Sequence, residues 1–178
     1  MCALLATRWI WLIAFIACVP AANWLIENVG ARCIPNGPCL IPVGFGFDAP
    51  SGVLLVGVAL VLRDLVQRDL GRWAAVAAIV AGAALSGAIA PPALVVASAA
   101  AFLFSELADF AIYTPLQKRG FIKAVVASSV VGLIVDSVLF LWLAFGSFKY
   151  LEGQIIGKAW AVLAAVAVLS LIRRKVIA

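Results

Sequence analysis

Residues 124–145 read AVVASSVVGLIVDSVLFLWLAF, an apolar run with a single charge, Asp136. A helix rising about 1.5 Å per residue carries such a run across the ~30 Å of a bilayer core. Five further apolar runs, each bounded by charge clusters, lie at 9–26, 52–66, 73–89, 92–113 and 155–172. The expected fold is therefore all-α: a polytopic integral membrane protein with six transmembrane helices in one bundle. The loops between the runs are short, so residues 1–178 form one expected domain. Composition agrees, with 66% hydrophobic and 12% charged residues and a mean hydropathy of +1.19. Those values exclude an ordinary soluble domain.

The net charge of +5 is explained by where the basic residues fall, without a nucleic-acid partner. With six spans, Arg8, Arg63, Arg68, Arg72, Lys118, Arg119, Lys123, Arg173, Arg174 and Lys175 share one side, and Arg32, Lys149 and Lys158 the other. Ten against three matches the positive-inside rule and places both termini in the cytoplasm of a bacterial inner membrane. Arg8 before an apolar stretch, with small residues at 20–23, also has the outline of a cleaved signal, or of a lipoprotein signal ending at Cys18. The charge count works best with this segment kept as the first span.

Cys33 and Cys39 flank Ile34-Pro35-Asn36-Gly37-Pro38, a turn-forming stretch in the first outer loop. Their spacing permits a small disulfide ring on an oxidising face. The chain has no histidine, and two isolated thiols do not complete a zinc tetrahedron, so no metal and no cofactor are expected.

Polar residues inside apolar runs carry the functional information, because each is costly in hydrocarbon. In the fourth run, Ser98, Ser105, Glu106 and Asp109 fall on one side of a helix. Glu106 lies roughly 10 Å from the cytoplasmic end by the rise per residue, and the alternative to a buried site is a pair of helix-end charges bonded to nearby Arg or Lys. Asp136, with Gly132 one turn earlier, lies roughly 20 Å from the cytoplasmic end. An aspartate there faces a cavity, shares a proton or meets a partner on another helix. The second run follows a stretch rich in Pro and Gly at 42–52, which reads either as backbone lining a cavity or as a surface loop. At its other end the helical period continues through Leu62, Leu65, Val66 and Leu70, compatible with an interfacial extension pairing Asp64 with Arg68, or with Arg63 or Arg68 turned toward Glu106 or Asp109.

Three segments together resemble the VUT family of vitamin-uptake-type proteins, which includes queuosine-precursor transporters. They are Arg63-Asp64-Leu65-Val66 with Gly71-Arg72; Phe104-Ser105-Glu106-Leu107-Ala108-Asp109 with Tyr113-Thr114-Pro115-Leu116; and Val131-Gly132-Leu133-Ile134-Val135-Asp136-Ser137 with Phe140 and Ala144-Phe145-Gly146. The resemblance covers residues 52–147. One departure is Arg68, at a place where the family carries an acid. The resemblance implies uptake of 7-cyano-7-deazaguanine or 7-aminomethyl-7-deazaguanine. Such a deazapurine presents an N1 hydrogen beside an exocyclic amine, which one carboxylate accepts in a bidentate way. The expected binding residues are Glu106, Asp109, Asp136, Ser105, Phe102 and Phe140, with Phe104 and Trp142 as further aromatic candidates. Arg63, Asp64 and Gly132 are the coupling or gating candidates.

The expected partners are this small molecule, the lipid bilayer, and either a second copy of the chain or an ATPase module. The chain has no Walker sequence and cannot hydrolyse ATP by that route. Three function classes follow: a self-sufficient transporter; a substrate-binding subunit of an energy-coupling-factor importer; and a membrane enzyme using Glu106, Asp109 and Asp136. The first is the reading adopted, and catalysis is not expected.

Overall fold

The computed structural model describes residues 2–35, 37–90 and 92–177, with side chains at 9–35, 37–90, 92 and 94–171. Six long helices dominate: α1 (Cys2–Asn28), α2 (Val53–Leu70), α3 (Arg72–Ile89), α4 (Val95–Leu116), α5 (Phe121–Phe145) and α6 (Leu151–Ile177). Five are long and apolar enough to cross a membrane. The remaining one, α2, spans 18 residues and contains Arg63, Asp64, Arg68 and Asp69. Of the residues used in the charge count, the side chains of Arg8, Arg173, Arg174 and Lys175 lie outside those described.

The bundle has an apolar core with charged groups buried in it, and it carries large apolar side chains on its outer surface as well. Trp9, Ile13, Trp73, Val96, Phe104 and Trp142 are exposed on helix surfaces, whereas Arg63, Asp64, Asp109 and Lys158 are each 0% exposed. Lipid tails offer no hydrophobic drive between helices, so the helices meet through close packing and buried polar contacts. The most extensive pairing is α4 with α5, and α2 is held between α1 and α6. Small residues permit these approaches. A Cβ on Gly57 would stand 2.7 Å from the Lys158 carbonyl oxygen of α6. Gly71, at φ +92°, links α2 to α3 as one residue, a conformation that suits glycine best.

Where a plain loop or a cavity-lining segment was expected at 42–52, the chain forms an antiparallel sheet of order β1-β2-β3, from β1 (Arg32–Cys33), β2 (Cys39–Gly44) and β3 (Phe47–Pro50). Cys33 and Cys39 are joined by a disulfide across the β1–β2 pair. The sheet is tied to helix ends: Ser51 donates to the Leu25 carbonyl at 2.7 Å, and the Trp160 indole to the Val43 carbonyl at 3.1 Å. It therefore marks one end of the bundle. The other end holds the α2–α3 and α4–α5 connections, where the Trp11 indole donates to Asp69 at 3.1 Å.

Three expectations about charge are corrected. Lys158 does not belong to an outer loop: α6 begins at Leu151, and Lys158 is wholly buried two turns into it. Arg63 likewise leaves the loop count, because α2 runs unbroken to Leu70. Asp64 does not pair with Arg68, which instead bonds Asp69 at 2.6 Å; Asp64 pairs with Arg63 inside the bundle.

Candidate functional site

The polar residues of α4 divide between two buried centres. The first is built around Arg63 of α2. Its Nη2 is 2.7 Å from Asp64 Oδ1 and makes a very close ion pair with Asp109, while Nη1 donates to Gln67 at 2.9 Å. Nε approaches Glu106 Oε2 at 3.5 Å without a hydrogen bond. Ser128 of α5 donates to Asp64 at 3.0 Å, and Gln67 donates to the Thr114 hydroxyl of α4 at 3.0 Å. The rings of Phe110 and Tyr113 lie 5.9 and 5.4 Å from the guanidinium carbon, a cation–π arrangement. Gly132 makes room for this centre, since a Cβ there would stand 3.1 Å from Asp109 Cβ and 2.7 Å from a Leu60 methyl. One guanidinium therefore joins α2 to α4, with α5 attached through Asp64. Among the described residues, no three metal-binding side chains are grouped to hold a metal ion.

The second centre lies nearer the sheet. Lys158 of α6 donates to Asp136 Oδ2 at 2.6 Å and to Ser137 at 2.8 Å, both on α5, and makes a very short contact with Gln154 Oε1. All three ammonium hydrogens thereby find acceptors. Ser105 makes a long 3.5 Å contact with Asp136 Oδ1 and bonds the Phe102 carbonyl at 3.1 Å. Ser105 thus belongs with Asp136, although in sequence it adjoins Glu106.

A cavity of about 70 Å³, measured as the space open to the centres of water molecules, adjoins this second centre. That is room for roughly five waters, at the ~10–15 Å³ each needs, or for one flat ring. Phe102 and Phe140 line it, with Asp136, Gln154, Ser86, Ser98 and Asn23 among its polar groups. Asn23, Ser86 and Gln154 lie near helix ends at the sheet side, so Asp136, nine residues inside α5, is at the deep end. The Asn23 amide donates to the Val19 carbonyl at 3.0 Å, which leaves its oxygen free as an acceptor. The Gln154 oxygen is held by Lys158, which leaves its amide hydrogens for a ligand.

Of the expected binding residues, Asp136, Phe102 and Phe140 line this cavity, whereas Glu106, Asp109 and Ser105 are buried outside it. Phe104 and Trp142 are 55% and 57% exposed and point away from any such site. Sequence reasoning missed Lys158 and Gln154. Their signal was present: a lysine inside the apolar run at 155–172, with a glutamine four residues before it.

Apolar helix surfaces, buried ion pairs and a cavity opening among helix ends together define a polytopic helical membrane protein of the transporter type. The family model described as "Putative vitamin uptake transporter" matches residues 85–176, just over half of the chain, and the chain belongs to that family. The matched region includes Glu106, Asp109, Asp136, Gln154 and Lys158; it leaves out Arg63 and Asp64, and it reaches beyond residue 147, where the sequence resemblance ended. No curated protein and no solved structure matches the chain.

Proposed function

We propose that this protein imports a queuosine precursor, or a closely related small polar heterocycle, and binds it in the cavity above Asp136. The observation that carries the reading is the meeting of the Asp136 carboxylate and the Gln154 amide in a cavity walled by Phe102 and Phe140. A deazaguanine edge offers two adjacent N–H donors and a carbonyl. The carboxylate accepts the donors, the amide donates to the carbonyl, and the aromatic rings cover the faces. Glu106 and Asp109 then act with Arg63 and Asp64, in the centre that closes the bundle on the far side of the cavity. With the sheet end outside the cell, as the basic residues favour, the cavity receives solute from outside and the Arg63 centre is the barrier toward the cytoplasm.

The test is uptake of labelled 7-cyano-7-deazaguanine in bacteria lacking both its synthesis and its transport. Accumulation that depends on this chain is the expected result, and none above the empty-vector control would defeat the reading. Proteoliposomes containing the purified chain alone separate a self-sufficient transporter, which accumulates the ligand, from a substrate-binding subunit, which binds it but needs an ATPase module to move it.

A further inference from the structure

Among the described residues, the cavity has one charged lining residue, Asp136, and that charge is already matched. Lys158 is wholly buried behind it, 2.6 Å from Oδ2, and its ammonium has no hydrogen left to offer. The other buried charges, Asp64, Glu106, Asp109 and Arg63, do not line the cavity. A cation entering from water would lose its hydration with no free anion to replace it, a penalty that low-dielectric surroundings make severe. An uncharged ligand loses far less. It can also donate N–H groups to Asp136 as charge-assisted hydrogen bonds while Lys158 keeps its own. Resting on the reading of this cavity as the ligand site, we infer that the Asp136–Lys158 pair makes it selective for uncharged heterocycles and that Lys158 is the residue that excludes cationic ones.

The two deazaguanines form a matched pair of probes. The 7-cyano compound is neutral, and the 7-aminomethyl compound carries a primary amine that is protonated at pH 7, as lysine is. Equilibrium binding of each to the purified full chain in nanodiscs at pH 7 should favour the cyano compound by about tenfold or more, a difference of about 1.4 kcal/mol. In Lys158→Gln, Asp136 is released as a free anion, and the preference should shrink by about tenfold or reverse. Because an unpaired Asp136 can compromise folding, Asp136→Asn/Lys158→Gln serves as the second variant. It removes both charges, and the neutral ligand should remain favoured although both bind more weakly.

Equal affinities in the wild type, or tighter binding of the amine, would overturn the inference and show that the carboxylates around Arg63 set the field in the cavity. Loss of the neutral preference in the double variant would also overturn it. Binding of neither compound to the wild type would instead remove the ligand-site reading, and this inference with it, so the two failures are distinguishable.

Discussion

Among the described residues, Arg63 is the one cation set among three buried carboxylates, Asp64, Glu106 and Asp109. Replacing it by methionine keeps most of the volume and leaves those acids without a counter-charge. Breaking a buried pair in this way costs about 3–5 kcal/mol, so Arg63→Met should show a large fall in thermal stability in detergent and a low folded yield. A melting temperature equal to the wild type would show that the centre does not hold the helices together. Asp136 and Glu106 should separate in a binding assay. Asp136 lines the cavity, and Asp136→Asn exchanges an acceptor for a donor, with an expected loss of about 1.5–3 kcal/mol, typical of charged hydrogen bonds. Glu106→Gln should leave binding within about 0.5 kcal/mol, since Glu106 lies outside the cavity. The opposite order, measured by isothermal calorimetry, would move the ligand to the Arg63 centre. The acids of this pair of centres were legible in the sequence, because a carboxylate in an apolar run breaks a rule by itself. Their partners were not: the sequence left Arg63 and Arg68 equivalent, and Lys158, although inside the run at 155–172, was counted with the outer-side charges because it lies near that run's start.

Among the elements, all six helices were read, with ends that differ by up to seven residues, because hydropathy sums over many positions and is insensitive to where a helix continues past its apolar run. The sheet was not, because β1 has two residues and β2 contains Pro42, too little for a strand pattern. What hydropathy does not contain is the facing of helices, and here glycines carry the information. Gly57 brings α2 against the backbone of α6: a Cβ there would meet the Lys158 carbonyl oxygen at 2.7 Å and Ala161 Cβ at 2.8 Å. Neither is the tip of a flexible side chain, so the helices themselves must separate. Gly57→Ala should therefore cost about 1–3 kcal/mol, the range for overpacked sites. Moving the Lys158 backbone should also weaken ligand binding, although residue 57 does not line the cavity. Gly87→Ala is the control, since its Cβ would meet only Ala99 Cβ at 3.4 Å. Equal melting temperatures for the two variants would mean that α2 and α6 are less closely packed than described.

For the whole molecule, the lie of α2 in the bilayer decides the topology, because its charges set it apart from the five helices that composition identifies as spans. Its ends answer in geometric terms. Ser51, just before α2, bonds the carbonyl of Leu25, whereas Asp69 near its end bonds Trp11, and both partners lie on α1. Those partners are fourteen residues apart, or about 21 Å along a helix, so α2 runs antiparallel to α1 through most of the same depth. Its charges are compatible with that depth because Arg63 and Asp64 face protein rather than lipid, each 0% exposed. Removing Arg63 and Lys158 from the loop counts changes ten against three into nine against two, which strengthens the charge bias. The expected topology is six crossings, with the sheet outside and residue 178 in the cytoplasm. Single cysteines at exposed positions test it in a chain carrying Cys2→Ser, where Cys33 and Cys39 are bonded and Cys18 is buried. In intact cells, a membrane-impermeant maleimide should label Phe45→Cys, at the exposed turn of the sheet just before α2, and leave Arg72→Cys, just after α2, unlabelled until the membrane is opened. Labelling of both from outside would mean that α2 does not cross, and the Arg63 centre could not then be the cytoplasmic barrier.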